Sequence, residues 1–264
     1  MSDLLPALSL DGVRRVLCVV AHPDDVEYGT SSAVAAWTAA GVEVSYLLLT
    51  RGEAGMDSSP PERTAQVRTR EQVAGAAEVG VTDVVFAEHP DGVLVYGLDL
   101  RRDIARRIRE VRPDTVVTGS WEVEGFVGLN QADHRAAGLA SVDAVRDAGN
   151  RWVFGELLDD GLEPWEVTRL LVAGDSRPTH GVDVGGEPLR RGIASLEAHA
   201  EYLAGLPGHP APADMLPFIA AMQGRAMGVE HAVLFRVHDL QGPPPELRDE
   251  LARRGMTPPD EPTG

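Results

Sequence analysis

Short β-branched runs alternate with longer alanine-rich stretches through the first half of the chain, and this alternation restricts the fold more than any other feature. Arg15–Val20 is apolar but too short for a helix, and Val42–Thr50, Asp83–Phe86 and Asp114–Thr118 repeat the pattern. Between them, Tyr28–Ala40 sets Ala33, Ala36 and Trp37 at helical spacing before a stop at Gly41, Arg63–Val79 reads as a helix, and Asp99–Val111 puts Leu100, Ile104 and Ile108 on one face. Ala132–Val145 is a further helix. Strands that alternate with helices predict βα units on a parallel sheet. Past Asn150 the rhythm changes, with strands expected at Val167–Val172 and Glu230–Val237 and helices at Leu189–Leu206 and Ala213–Met227. The expected architecture is α/β: an open, mostly parallel sheet with helices on both faces and a small C-terminal extension. Residues 1–240 form one domain in this reading, and residues 241–264 a Pro-rich, charged tail that frays.

Composition narrows the function. With 41 acidic side chains against 24 basic ones the net charge is −17, which repels phosphate backbones and anionic membranes. No basic patch offsets it, so neither a nucleic-acid nor a membrane partner is expected. All 24 basic residues are Arg, which excludes Schiff-base and P-loop lysine chemistry. The single cysteine, Cys18, has no partner for a disulfide and suits a reducing compartment. No apolar run approaches the roughly 20 residues of a membrane helix, and the segment Met1–Val13 lacks the order of a secretory signal. A soluble, cytoplasmic protein is expected, with a homo-oligomer left open.

In open α/β sheets ligands bind beyond the carboxyl ends of the strands. The first strand ends in Ala21-His22-Pro23-Asp24-Asp25, an imidazole and two carboxylates on a proline-stiffened turn. His22 and one aspartate could hold a divalent metal while the other aspartate takes a proton from water. The plainer reading makes Asp24 or Asp25 a helix cap. A second cluster, Asn130-Gln131-Ala132-Asp133-His134, follows the Asp114–Thr118 strand and its Gly-rich loop, so His134 could supply a second imidazole. Two His and one carboxylate leave coordination positions open, as in hydrolytic zinc and in non-haem iron sites.

These residues resemble the zinc-dependent N-acetylglucosaminyl deacetylases, the PIG-L or LmbE-like family, whose hallmarks are a His-Pro-Asp-Asp run after the first strand and an Asp-His pair in mid-chain. His22–Asp25 and Asp133-His134 carry the resemblance, supported by Thr50–Gly55, Arg68–Gly80, His89–Gly92, Val182–Val184 with Leu196–His199, and Val229–His231. The resemblance implies a Rossmann-like fold, zinc (or ferrous iron) held by His22, Asp25 and His134, and Asp24 as general base. It brings Asp133 and His199 into the catalytic group. It implies removal of an N-acyl group, with acetyl expected, from a small amino sugar of the glucosamine type. Alternatives are a mycothiol-conjugate-type amidase and a family member that binds metal but has lost turnover.

One departure bears on the last alternative. Where the family usually carries His-Pro-Asp-His, this chain has Gln131-Ala132-Asp133-His134. Gln131 donates a hydrogen bond but delivers no proton at neutral pH. Either metal and Gln131 suffice for the oxyanion and Asp24 returns its proton to the amine, or another imidazole such as His180 or His199 enters the site. For substrate binding, Glu53 stands out between Gly52 and Gly55, Arg68 through the family's placement of its helix, and Asp91 in an Asp-Gly turn. Arg68 with Glu71 reads otherwise as a surface ion pair. Trp121 and Phe126 offer stacking surfaces, and His209, His231 and His238 read as structural. A Rossmann-type cofactor binder is disfavoured, because the first βα turn lacks the Gly-x-Gly-x-x-Gly pattern.

Overall fold

The computed structural model describes residues 4–125, 128–242 and 245–254; Phe126 lies outside them. Strand β1 (Arg15–Val20) leads through two short helices, α1 (Asp25–Gly29) and α2 (Ser31–Ala39), into β2 (Glu43–Leu48). Helix α3 (Pro61–Glu78) connects to β3 (Asp83–Phe86), and α4 (Leu98–Val111) to β4 (Thr115–Gly119). The two-residue strands β5 (Glu124–Gly125) and β6 (Gly128–Leu129) pair antiparallel ahead of α5 (Ala132–Asp147). Then follow β7 (Arg169–Ala173), β8 (His180–Asp183), α6 (Glu187–Glu197), α7 (Ala200–Ala204), α8 (Pro212–Met227), β9 (Ala232–Asp239) and α9 (Pro245–Arg253).

The main sheet has seven strands in the order β3-β2-β1-β4-β7-β9-β8. The first five in that order run parallel, β9 runs antiparallel to β7, and the edge strand β8 runs antiparallel to β9. The chain lays β2 and β3 to one side of β1 and then crosses to place β4 on the other. The strand order therefore reverses at the β1/β4 boundary, where an open α/β sheet forms its ligand crevice.

Side chains alternate across the sheet, so β1 feeds both cores. Val16, Cys18 and Val20 join a cluster with Trp37, Tyr46 and Phe235, while Leu17, Val19 and Ala21 join Leu47, Ile104 and Leu170 on the other face. A strand covered on both faces reads as a continuous apolar run, which is why β1 shows no polar alternation. On α4, Arg109 is buried and donates to the carbonyl oxygens of Ala148, Asn150 and Val153. That fastens the far end of α5, the helix that starts at the crevice.

Two helices expected to be continuous are broken. Tyr28–Ala40 divides at Thr30, whose N–H and hydroxyl both donate to the Val26 carbonyl. Leu189–Leu206 divides at Ala198 and His199, because the buried Glu71 carboxylate accepts the N–H groups of Glu201 (2.6 Å) and Tyr202 (3.3 Å) and starts a new helix there. Edge strand β8 and the short β5 and β6 carry too few residues to show a period. The tail expected over residues 241–264 is helical over Pro245–Arg253, and residues 255–264 lie outside the described part. Among the described residues no helix is long and apolar enough to cross a membrane.

Ile104, fully buried between α4 and the sheet, tests this core. Ile104→Ala is expected to lower unfolding free energy by about 2–5 kcal/mol with an unchanged denaturant slope, measured by urea denaturation; a loss below about 1 kcal/mol would mean that this face is not packed as described.

Candidate metal centre and active site

The turn after β1 is built to converge. The His22 N–H donates to Asp25 Oδ2 at 2.8 Å, closing the turn, and Asp25 opens helix α1. His134 enters from the first turn of α5, across the β1/β4 crevice, and its Nε2 lies 3.1 Å from Asp25 Oδ1. The two imidazole centroids are 5.2 Å apart.

What surrounds each ring decides which nitrogen faces inward. His22 Nε2 meets Asp91 Oδ1 at 3.0 Å and Asp133 Oδ2 at 3.3 Å, both acceptors, so it carries the proton and leaves the Nδ1 lone pair turned toward Asp25. His134 Nδ1 meets Asn130 Oδ1 at 3.2 Å, which leaves its Nε2 lone pair toward the same carboxylate. Imidazoles oriented from behind by an oxygen acceptor, with free lone pairs converging, are the arrangement that metal ligation requires. His22, Asp25 and His134 bring ligand atoms within 4.8 Å of one another. A second group, His22 with Asp91 and Asp133, meets the same distance test. Its carboxylates are already engaged, Asp133 by the N–H groups of Gly92 and Leu94 and Asp91 by that of Ala54, so the first group is the better fit.

The charges agree with a site for a cation. Burial would lower the His22 pKa, but hydrogen bonds to Asp25 and Asp91 overcome it and push it up to about 11. His134 is raised in the same way through Asp25. Asp25, which burial alone would push up, is held well below the carboxylate range by the two imidazoles. A cluster that pulls protons onto both imidazoles has an excess of negative charge that a divalent ion would balance.

Asp24 sits in a left-handed backbone conformation, φ 89°, that a non-glycine residue seldom adopts. Two side chains of α3 hold it there. The Asp24 N–H donates to Gln72 Oε1 at 2.8 Å, and Arg68 pairs with Asp24 Oδ1 at 2.9 Å while also donating to the carbonyls of Pro23 and Gly52. Arg68 stacks 4.0 Å above the Tyr202 ring. Burial pushes the Asp24 carboxyl up to about 6, against the pull of Arg68. Gln72 in turn donates to Glu27 Oε1 at 2.8 Å; Glu27, also fully buried, is pushed up to about 8.

Other expected residues take different places. Arg68 is 3% exposed and bound to Asp24, not open to substrate, and Glu71 caps α7 instead of pairing with it at the surface. Asp91 stands behind His22, and Glu53 accepts the Asp91 N–H at 2.9 Å, so these two clasp the loops after β2 and β3 together. Asp133 ties the 92–94 loop to α5. Gln131 is the exposed N-cap of α5, makes no side-chain capping bond and lines the crevice. His180 lies on the edge strand β8, away from the cluster. His209, read as structural, accepts or donates at 2.7 Å with the Tyr28 hydroxyl. Gln72, Glu27 and Tyr202 were not singled out from the sequence, and Asn130 entered only as a member of the second cluster, because their contacts with Asp24, Arg68 and His134 form on folding.

His199 lies behind Glu27, wholly buried, with its Nε2 3.9 Å from Glu27 Oε2 and neither ring nitrogen hydrogen-bonded. It therefore packs beneath the turn and does not face the crevice. Burial, with Arg68 nearby, lowers its pKa to about 3. An unfolded imidazole titrates near 6.5, so between these values the unfolded chain binds the extra proton. The stability this residue contributes is complete above about pH 6.5 and is lost as pH falls toward 3. Relative to His199→Leu, the wild type is expected to gain up to about 1.4 kcal/mol per pH unit across that window, read from urea midpoints at several pH values; parallel profiles would mean that the buried ring is not held neutral.

Residues 17–145 match the family described as PIG-L, GlcNAc-PI de-N-acetylase. The chain is 32% identical over 254 residues to the 1D-myo-inositol 2-acetamido-2-deoxy-alpha-D-glucopyranoside deacetylase of Kineococcus radiotolerans, covering 82% of this chain and 64% of that one. It is 31% identical over 176 residues to the diacetylchitobiose deacetylase of Thermococcus kodakarensis, covering 65% and 64%. The matched part thus spans 64% of the length of each of these curated relatives. The N,N'-diacetylchitobiose deacetylase of Pyrococcus horikoshii shares the fold with a TM-score of 0.78 at 23% identity, covering 87% of this chain and 85% of that one. Residues 17–145 carry the PIG-L family match, and the curated relatives named here are deacetylases.

Proposed function

We propose that this chain is a metal-dependent amide hydrolase that removes an N-acyl group, in the first instance acetyl, from a glucosamine-type sugar or glycoside. The observation that carries the reading is the pair of imidazole lone pairs, His22 Nδ1 and His134 Nε2, directed at Asp25 beside a second carboxylate that is buried and held in a strained turn. The two curated relatives described above, named as deacetylases of N-acetylated sugars, support the substrate class. Two imidazoles and one carboxylate suit zinc, with ferrous iron the alternative.

When bound, the metal supplies a Lewis acid for the amide carbonyl and lowers the pKa of water. The protein does the rest. Asp24, anchored by Arg68 and Gln72, accepts the proton of the attacking water at its carboxylate and returns it to the departing amine nitrogen. Its elevated pKa suits a group that must both take up and release a proton. The Gln131 side chain, free of capping bonds at the crevice, donates to the oxygen that gains charge. Asp91, Asp133 and Asn130 hold the imidazoles in the ligating tautomer. Every residue named belongs to one chain, so each copy of a homo-oligomer would carry a complete site. A buried, unpaired Cys18 suits action on a small molecule in the cytoplasm.

Metal content measured by elemental analysis, with amine release from N-acetylglucosamine glycosides, tests the reading. About one zinc or iron per chain with amine release is expected. Metal without amine release, restored by Gln131→His, would instead select the metal-containing binding protein. His134→Ala is expected to lose the metal, and full metal occupancy in that variant would remove the residue from the ligand set. Asp24→Asn should keep the metal and lose about 10²-fold or more of kcat; retained activity would exclude it as the base. Gln72→Ala, which frees the strained Asp24 N–H, is expected to lower kcat about tenfold at similar KM, and an unchanged kcat would show that the turn holds without it.

A further inference from the structure

A cavity of about 440 Å³ opens at the candidate metal centre, with Asp25, His134 and Gln131 on its wall. It lies along one face of the sheet, against Val20 of β1, Gly119 of β4, Ala173 of β7 and the α1/α2 junction, with Cys18 and Val117, 0% and 2% exposed, packed in the layer beneath. These positions alternate along their strands and so share a face. Gly119 and Ala173 stand where larger side chains would close the space. A Cβ built on Gly119, or on Gly29 opposite, meets no atom within 4 Å.

The inner walls offer a sugar few free donors, the Ser120 hydroxyl being one. Thr30 spends its hydroxyl proton on the Val26 carbonyl, Thr118 on Ser141 Oγ, and Tyr28 is paired with His209. A hexosamine pushed inward would leave its hydroxyl groups buried and unsatisfied. A methyl group alone would leave most of the space empty, since an apolar cavity of roughly 150 Å³ already admits benzene. At the rim, Leu129 is 79% exposed and also lines the opening. Apolar depth, a polar mouth and candidate metal ligands at the boundary describe a slot for a hydrocarbon chain whose carbonyl end stays at the mouth.

Building on the hydrolase reading, we propose that this slot takes the acyl half of the substrate and that, besides acetyl, the site accepts a straight N-acyl chain of about eight carbons, a length that a cavity with room for roughly a dozen water-sized groups accommodates. The sugar stays at the mouth beside Gln131 and Asn130. The reaction is unchanged in its balance: water adds, the amide C–N bond breaks, and a fatty acid and a free amine leave.

Calorimetric titration of the zinc-loaded full chain with acetate, butanoate, hexanoate and octanoate tests the slot without any turnover. Affinity is expected to rise roughly fourfold per buried methylene, and at least tenfold from butanoate to octanoate. Gly119→Leu and Gly29→Leu, each checked for folding by circular dichroism, are expected to cut the octanoate-to-butanoate ratio at least tenfold. Octanoate binding no tighter than butanoate, or an unchanged ratio in a folded Gly119→Leu, would overturn the proposal. Amine release from N-acetyl- and N-octanoylglucosamine then separates the two readings. Chain-length-dependent binding with no amine from either sugar strikes the hydrolase reading and leaves the slot standing. Amine from the acetyl sugar alone, without chain-length-dependent binding, overturns the slot and leaves the hydrolase.

Discussion

The buried ion pair between Arg68 and Asp24 is the interaction on which the rest of the crevice depends. Neither charge is stable alone in that setting: stripping one partner from a buried pair commonly costs about 3–5 kcal/mol, because the other is left unsolvated. Here the pair has a second function, since the same guanidinium reaches the carbonyls of Pro23 and Gly52 and stacks on Tyr202. One side chain of α3 thus joins the turn after β1, the loop after β2 and the start of the C-terminal region. With Gln72 one turn further along, it holds Asp24 in its left-handed conformation.

From that anchor the electrostatics of the site are organised in layers. Asp25 faces the imidazoles directly, Asp91, Asp133 and Asn130 stand behind them, and Glu53 with the Gly92 and Leu94 N–H groups stands behind those carboxylates in turn. Asp91, Asp133 and Glu53 each accept a backbone N–H from another loop, so the acidity of the chain is not merely a surface property. It supplies the field that raises both histidine pKa values, and the backbone donors keep that field from being ruinous when the crevice is desolvated.

The two ends of the crevice differ for a structural reason. At the β1 turn the polar groups come from loops, where side chains can be placed freely. Deeper in, the walls are strands shared with the core, and there the alternation that packs Val16 and Trp37 also dictates apolar groups at Cys18, Val20 and Val117. A cleft that begins polar and ends apolar follows from opening a two-faced sheet at its switch point.

Much of this could be read from residues alone. Periodicity over β1, β3 and α4 specified the elements within a residue or so, because buried strands and amphipathic helices impose their repeats locally. His22, Asp25 and His134 stood out because a strand end is a poor place for ionisable groups without a purpose. What the chain could not show in one dimension was decided by contacts between distant segments. Glu71 ends one helix and starts another through N–H groups about 130 positions away, Arg68 turns inward to a carboxylate 44 residues back, and His199 packs behind Glu27 instead of facing the crevice. Local spacing encodes which residues share a face. Which of two buried charges meet, and how large a space remains between them, depends on packing that only the folded chain contains.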